Sequence, residues 1–143
     1  MVTYGVVKKL GGRKVLRESV RSEIELAEAI HRGLPTAAVY EVLASGLLEP
    51  GEMYELVVPR RTLTHRRNRR QPLTPEQSDR LARVVRIATR AEEALADPKK
   101  AASWLRHPNR ALSGKKPIQL LESDVGARMV ERVLTRIEYG VAS

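Results

Sequence analysis

The stretch from Arg60 to Arg70 constrains the fold of this chain more than any other. It reads Arg-Arg-Thr-Leu-Thr-His-Arg-Arg-Asn-Arg-Arg and holds six arginines and no acidic residue. A segment of this composition cannot enter a core, because buried guanidinium groups need partners that the segment does not supply. An anion lying against the arginines would relieve their mutual repulsion. The sequence therefore predicts a surface helix that faces a negatively charged partner.

The rest of the charge is also arranged in blocks. The net charge is +9. Residues 1–21 contain six basic residues and one acid, whereas residues 22–58 contain one basic residue and seven acids. Residues 97–143 are basic again, with nine cations against five acids. This pattern indicates that part of the charge is balanced within the molecule and that the arginine stretch remains available for phosphate groups.

Composition excludes several classes of protein. The chain has neither cysteine nor phenylalanine, so its core is aliphatic, and disulfide frameworks, thiolate zinc sites and cysteine nucleophiles are excluded. No apolar run approaches the roughly 18 residues that a membrane span needs, and the first residues lack the core of a signal peptide. We expect a cytoplasmic protein with no membrane partner.

Capping signals and apolar spacing predict an all-α fold after residue 20. A capping residue, a proline at the first turn, or both mark helix starts, and Gly or Pro marks the ends. Starts are predicted at Ser22, Thr36, Glu49, Pro59, Thr74, Asp97, Pro117 and Ser123. In the first of these helices, Ile24, Ala27 and Ile30 are expected to face inward. The first twenty residues, with valines on both sides of Gly11–Gly12, allow either a short hairpin or a basic arm, and we favour the arm or a loosely docked segment.

Two of the predicted helices form a helix-turn-helix pattern, in which a short helix over residues 50–57 leads through a tight turn into the basic one. Leu63 is the only large apolar residue of the basic helix and must face the core, which places Arg61, His65 and Asn68 on the opposite side. We expect Arg61, Thr64 and His65 to contact base edges in a major groove. The predicted DNA-binding set also includes residues that hold the phosphate backbone, or flank the base-contacting face: Arg60, Thr62, Arg66, Arg67 and Arg69.

Other interpretations of the basic helix are contact with an acidic protein and a solvated face without a specific partner. No residues support a catalytic or metal site. His31, His65 and His107 lack a second ligand at metal spacing, and Ser113–Gly114–Lys115–Lys116 lacks the leading glycine of a phosphate loop. We therefore predict that the chain is not an enzyme and needs no cofactor.

Two blocks of sequence resemble a known family. Val58–Arg66 followed by Pro72–Arg83 resembles the Xre-like antitoxins of bacterial RES-Xre toxin–antitoxin pairs, the group also called Xre/MbcA/ParS. The second half is similar to the C-terminal toxin-binding domain of that family at Asp97–Pro98, Trp104–Leu105, Pro108–Leu112, Gly114, Pro117, Leu120–Leu121 and Ile137–Val141. One residue departs from the pattern: Val57 lies where Cro-type domains favour glycine, and a β-branched residue resists positive φ.

The resemblance implies an antitoxin with two partners. Its N-terminal part would be a Cro-like helix-turn-helix domain that binds operator DNA and represses its own operon. Its C-terminal part would bind a RES-domain toxin that targets NAD and block the active site with the end of the chain. Carried over by position, the blocking segment consists of Tyr139, Gly140, Val141, Ala142 and Ser143. Asn109 and Arg110 lie in a predicted loop, where they could simply be solvated, and the resemblance favours contact with the toxin.

The sequence thus predicts a basic arm over residues 1–21, a DNA-binding domain over 22–90 and a toxin-binding domain over 91–143. A repressor of this type usually binds two half-sites, so we expect a homodimer or a larger assembly with the toxin. The rival interpretation is a stand-alone transcriptional regulator whose C-terminal helices serve only for dimerisation.

Overall fold

A computed structural model describes residues 2–140, and within this range the chain is helical, which confirms the predicted all-α fold after residue 20. No strand occurs in the described part, where only an isolated bridge joins Asn109 to Lys115. The helices are α1 (Val2–Lys9), α2 (Gly12–Leu16), α3 (Glu23–Arg32), α4 (Thr36–Ser45), α5 (Pro50–Leu56), α6 (Arg60–Asn68), α7 (Pro75–Leu95), α8 (Pro98–Leu105) and α9 (Asp124–Glu138), with 3₁₀ helices at Arg110–Leu112 and Pro117–Glu122. None of these helices has the length and apolar content of a membrane span.

The chain divides into two compact units, Met1–Val85 and Arg86–Ser143. The division falls inside α7, whose first turns belong to the first unit and whose last turns belong to the second. A capping box starts this helix as predicted. The backbone N–H of Gln77 donates to Thr74 Oγ1 at 3.1 Å, and the backbone N–H of Thr74 donates to Gln77 Oε1 at 3.0 Å. Two N–H groups that would otherwise be unpaired at the helix start are thereby satisfied.

Residues 2–20 correct our expectation of a basic arm. They form α1 and α2, which meet at Gly11 and Gly12, both with positive φ. Leu10 is fully buried, and the exposed fractions of Val6 and Leu16 are only 1% and 6%. Helix α1 packs against α2, α3 and α4. Burial of these side chains outweighs the weak intrinsic helix preference of a valine-rich and glycine-rich segment.

The inward face of α3 also differs from the prediction. Ser22 caps the helix as expected, since its side chain accepts from the Glu25 N–H at 3.2 Å. However, Ile24 is 68% exposed and Ala27 is exposed, whereas Ala29 is buried. The apolar spacing of so short a helix fits more than one face, and packing within the first unit buries the face that contains Ala29.

A buried connection fixes the start of α7 against the loop between α3 and α4. The Leu73 N–H donates to the Leu34 carbonyl at 2.9 Å, and the Leu34 N–H donates to Ser78 Oγ at 2.8 Å. Ser78 is fully buried. At Gly33 a Cβ would lie 2.3 Å from the Leu73 carbonyl oxygen, so glycine alone allows this approach. The segment that follows α6 is therefore held at a fixed position in the first unit.

In the second unit, α9 packs on the second 3₁₀ helix, Pro117–Glu122. Ser123 caps α9 as predicted, accepting from the Gly126 N–H at 3.0 Å. Gly126 is buried, and a Cβ there would lie 1.9 Å from the Leu120 carbonyl oxygen. The last turns of α7 reach α9 through ion pairs, with Arg86 to Glu131 at 3.1 Å and Arg90 to Glu138 at 2.6 Å.

Candidate DNA-binding helix and C-terminal surface

The turn between α5 and α6 is built without glycine. Only Val57, Val58 and Pro59 separate the two helices. Val57 has a φ of −117°, a conformation that a β-branched residue adopts without strain. The Met53 carbonyl accepts from the N–H groups of Val57 and Val58, at 2.9 and 3.2 Å, and both valines are buried. Burial and two hydrogen bonds thus hold a turn that Cro-type domains build with glycine.

Leu63 orients α6 as the sequence predicts. It is 2% exposed, whereas Arg61, His65 and Asn68 on the other side of the helix are exposed. Thr64 is exposed as well, and Thr62 is half-buried. The predicted base-contacting residues therefore share the solvent side of one helix.

Two of the six arginines are engaged within the first unit. Arg66 Nη1 donates to the Pro72 carbonyl at 2.6 Å, which closes the turn after α6. The Arg67 guanidinium lies over the Tyr40 ring of α4, 4.6 Å from its centroid. A cation over an aromatic ring contributes about 0.5–1 kcal/mol at an exposed site. These contacts position the helix, a role that the sequence pattern of α6 does not reveal for either arginine.

The other predicted arginines lie near the two ends of α6. Arg60 and Arg61 form its first turn, and Arg69 follows its last. All three are exposed, and none has an ion pair among residues 2–140. Arginines in a first turn oppose the helix macrodipole, whose positive end lies there. An anion at this position would be stabilised both by the guanidinium groups and by the helix terminus.

The predicted toxin-binding residues fall into two groups. Asn109 has a structural role, since its side chain accepts from the Ala111 N–H at 2.9 Å and its carbonyl accepts from the N–H groups of Leu112 and Gly114. Arg110 beside it is exposed. Tyr139 is 74% exposed directly after α9, and Gly140 is exposed too. Val141, Ala142 and Ser143 lie outside the described residues.

The outward side of α9 forms a surface that the sequence patterns did not lead us to predict. At 3.6 residues per turn, the side chains of this surface lie within less than a quarter of the helix circumference. All of them are exposed, and they are Val125, Arg128, Arg132, Arg136 and Tyr139. We call this set the α9 stripe. Asp124 pairs with Arg128 at its start, but Glu131 and Glu138 do not neutralise the rest, because they pair with Arg86 and Arg90. The four-residue spacing of the arginines was visible in the sequence.

No group of three or more His, Asp or Glu side chains at metal-binding distance occurs in the described part of the chain. Helix α6 and the α9 stripe therefore remain the candidate sites, one in each unit.

Two family models match the chain. The Antitoxin Xre-like helix-turn-helix domain matches residues 25–86, and the Antitoxin Xre/MbcA/ParS C-terminal toxin-binding domain matches residues 90–140. An Antitoxin Xre of Pseudomonas putida is 35% identical over 119 residues, which are 83% of this chain and 74% of that protein. The chain belongs to the Xre-type antitoxins.

Further relatives agree with this family. An Antitoxin Xre of Yersinia enterocolitica is 39% identical over 87 residues, which are 60% of this chain and 59% of that protein. A Sphingobium protein named Prs ADP-ribosylating antitoxin is 26% identical over 129 residues, which are 83% of this chain and 81% of that protein. In this Xre-type antitoxin α6 lies inside the matched helix-turn-helix domain, and the α9 stripe lies inside the matched toxin-binding domain. Helices α1 and α2 lie outside both matches.

Proposed function

We propose that this Xre-type antitoxin neutralises a RES-domain toxin that consumes NAD, and that it represses its own operon. The observation that carries the proposal is the α9 stripe, which ends in exposed Tyr139 inside the matched toxin-binding domain. Exposed aromatic and arginine side chains are enriched where proteins bind tightly to one another. A stand-alone regulator that used these helices only to dimerise would also need an exposed contact surface. Protection of cells against a toxin is therefore the property that distinguishes the two hypotheses.

On the toxin side, we propose that the α9 stripe and Arg110 dock on the toxin, and that the segment Tyr139–Ser143 enters its active site. The tail follows α9 directly, so docking of the helix sets where the tail reaches. Asn109 contributes by holding the Arg110 turn. The Sphingobium relative is named for ADP-ribosylation, a reaction that draws on NAD, and this agrees with an NAD-targeting toxin.

On the DNA side, we propose that Arg61, Thr64 and His65 contact base edges in the major groove. Arg60, Thr62 and Arg69 would contact the phosphate backbone, and Arg66 and Arg67 would do so with the donors that their internal contacts leave unused. Two copies of α6 would bind two half-sites of an operator, which requires at least a homodimer. We also propose that the antitoxin acts in the cytoplasm, with DNA binding in residues 22–90 and toxin binding in residues 91–143.

Removal of the last five residues tests the proposal. A variant that ends at Glu138 keeps the ion pair between Glu138 and Arg90, so the second unit is expected to stay folded. We expect this variant to bind operator DNA like the full chain but to lose protection in cells that express the cognate RES-domain toxin. Lys99→Ala, an exposed change on α8, is the control and should protect fully. Full protection by the shortened chain would contradict a blocking tail.

A further inference from the structure

The helices α1 and α2 carry a second basic surface, apart from α6. Arg13 and Lys14 of α2 and Arg17, which caps it, are exposed. None of the three has an ion pair or a side-chain hydrogen bond within residues 2–140. Glu18 is the only acid in the first 21 residues, and it pairs with Arg32 of α3. This cluster is therefore not neutralised by its neighbours.

The cluster is held rigidly. Leu16 lies between Lys14 and Arg17 and is buried, and Leu10 of α1 is buried as well. Helix α2 packs against α4, the same helix whose Tyr40 lies under Arg67 of α6. The basic side chains thus project from a backbone that is already fixed. Binding a partner would therefore cost little backbone conformational entropy.

One member of the cluster, Arg17, is also close to the segment that follows the candidate DNA-binding helix. Arg17 and Pro72 line one cleft, together with Gly33, Leu34 and Pro35. The carbonyl of Pro72 is the group that holds Arg66. The end of α2 and the segment that follows α6 therefore line a single depression.

We propose that Arg13, Lys14 and Arg17 form a second contact with the DNA backbone, which grips phosphates beside those reached by α6. The inference rests on the proposed DNA binding and adds to it a sequence-independent contribution. The occupant is assigned by charge, because exposed cations without acidic partners, one of which shares a cleft with the segment after α6, suit the phosphates of a duplex that α6 already contacts. Such contacts raise affinity for every sequence and do not change which sequence is preferred.

The test uses the triple variant Arg13→Ala/Lys14→Ala/Arg17→Gly in the full chain. Arg17 has a φ of 60°, which glycine adopts more easily, so the variant should fold, as circular dichroism can verify. Binding to a random-sequence duplex and to an operator duplex is measured by fluorescence anisotropy from about 50 to 200 mM salt. The slope of log K against log salt should become shallower by about 0.9 for each phosphate that the variant no longer neutralises, hence by up to about 2.7 per bound chain.

The control variant Lys99→Ala/Lys100→Ala/Lys115→Ala removes the same charge from exposed positions of the second unit, and its slope should equal that of the wild type. A triple variant with the slope of this control would overturn the inference, while a retained preference for operator DNA would leave the proposed function intact. Failure of the wild type to bind either duplex would overturn both.

Discussion

The packing of α9 on the second 3₁₀ helix can be tested at Gly126. In a Gly126→Ala variant the new methyl group would lie 1.9 Å from the carbonyl oxygen of Leu120 and 2.8 Å from its carbonyl carbon. Both are backbone atoms, and no side-chain rotation removes the clash. Helix α9 or the 3₁₀ helix must therefore move by roughly an ångström, which also disturbs the cap between Ser123 and the Gly126 N–H.

The magnitude follows from three contributions. Overpacking at such a close approach costs about 1–3 kcal/mol, and a weakened N-cap costs about 1 kcal/mol. Alanine returns up to about 1 kcal/mol through its better helix propensity. We expect a net loss of about 2 kcal/mol in the free energy of unfolding of the second unit. For a domain of this size, that loss lowers the midpoint of thermal unfolding by about 8–16 °C.

Thermal unfolding followed by circular dichroism measures this loss, and Gly51→Ala is the matched control. Gly51 is also in the first turn of a helix, but nothing lies within 4 Å of the position that a Cβ would take there, so the substitution should be neutral or stabilise by about 0.4–1 kcal/mol. Gly126→Ala should also weaken toxin protection while DNA binding persists. Equal midpoints for the two variants would refute the close approach of α9 to Leu120.

Two further predictions concern the first unit. Arg61→Ala should weaken operator binding by about 1–3 kcal/mol and relax sequence preference, whereas Arg69→Ala should weaken binding to all sequences and flatten the salt slope by about 0.9. Titrations against operator and random duplexes distinguish the two effects. Salt-independent binding would contradict both predictions. Ser78→Ala leaves the buried Leu34 N–H without its acceptor at 2.8 Å and should lower the free energy of unfolding by about 1–3 kcal/mol in urea titrations; an unchanged urea midpoint would argue against that buried bond.

Local signals predicted most of the helices. The caps at Ser22, Thr74, Asp97 and Ser123 depend on residues within one helical turn, and each accepts hydrogen bonds from nearby N–H groups as expected. The orientation of α6 was predictable too, because Leu63 is its only large apolar residue. Such features need no knowledge of distant parts of the chain.

What the sequence did not reveal depends on contacts between distant residues. Residues 2–16 have valines and glycines that favour a hairpin or an arm, and only packing against α3 and α4 makes them helical. The pairing of Arg67 with Tyr40 joins residues far apart in the chain. The α9 stripe became evident once the ion pairs of Glu131 and Glu138 with α7 were known, since these remove the two acids from the outward side.

The central proposal is that the end of the chain blocks a toxin that consumes NAD. The most direct measurement is the rate of NAD consumption by the purified RES-type toxin in the presence of either the full antitoxin or the variant that ends at Glu138. We predict that the full chain abolishes NAD consumption. The shortened chain should still bind the toxin through α9 but leave most of the NAD consumption intact. Equal inhibition by both chains would contradict the proposal.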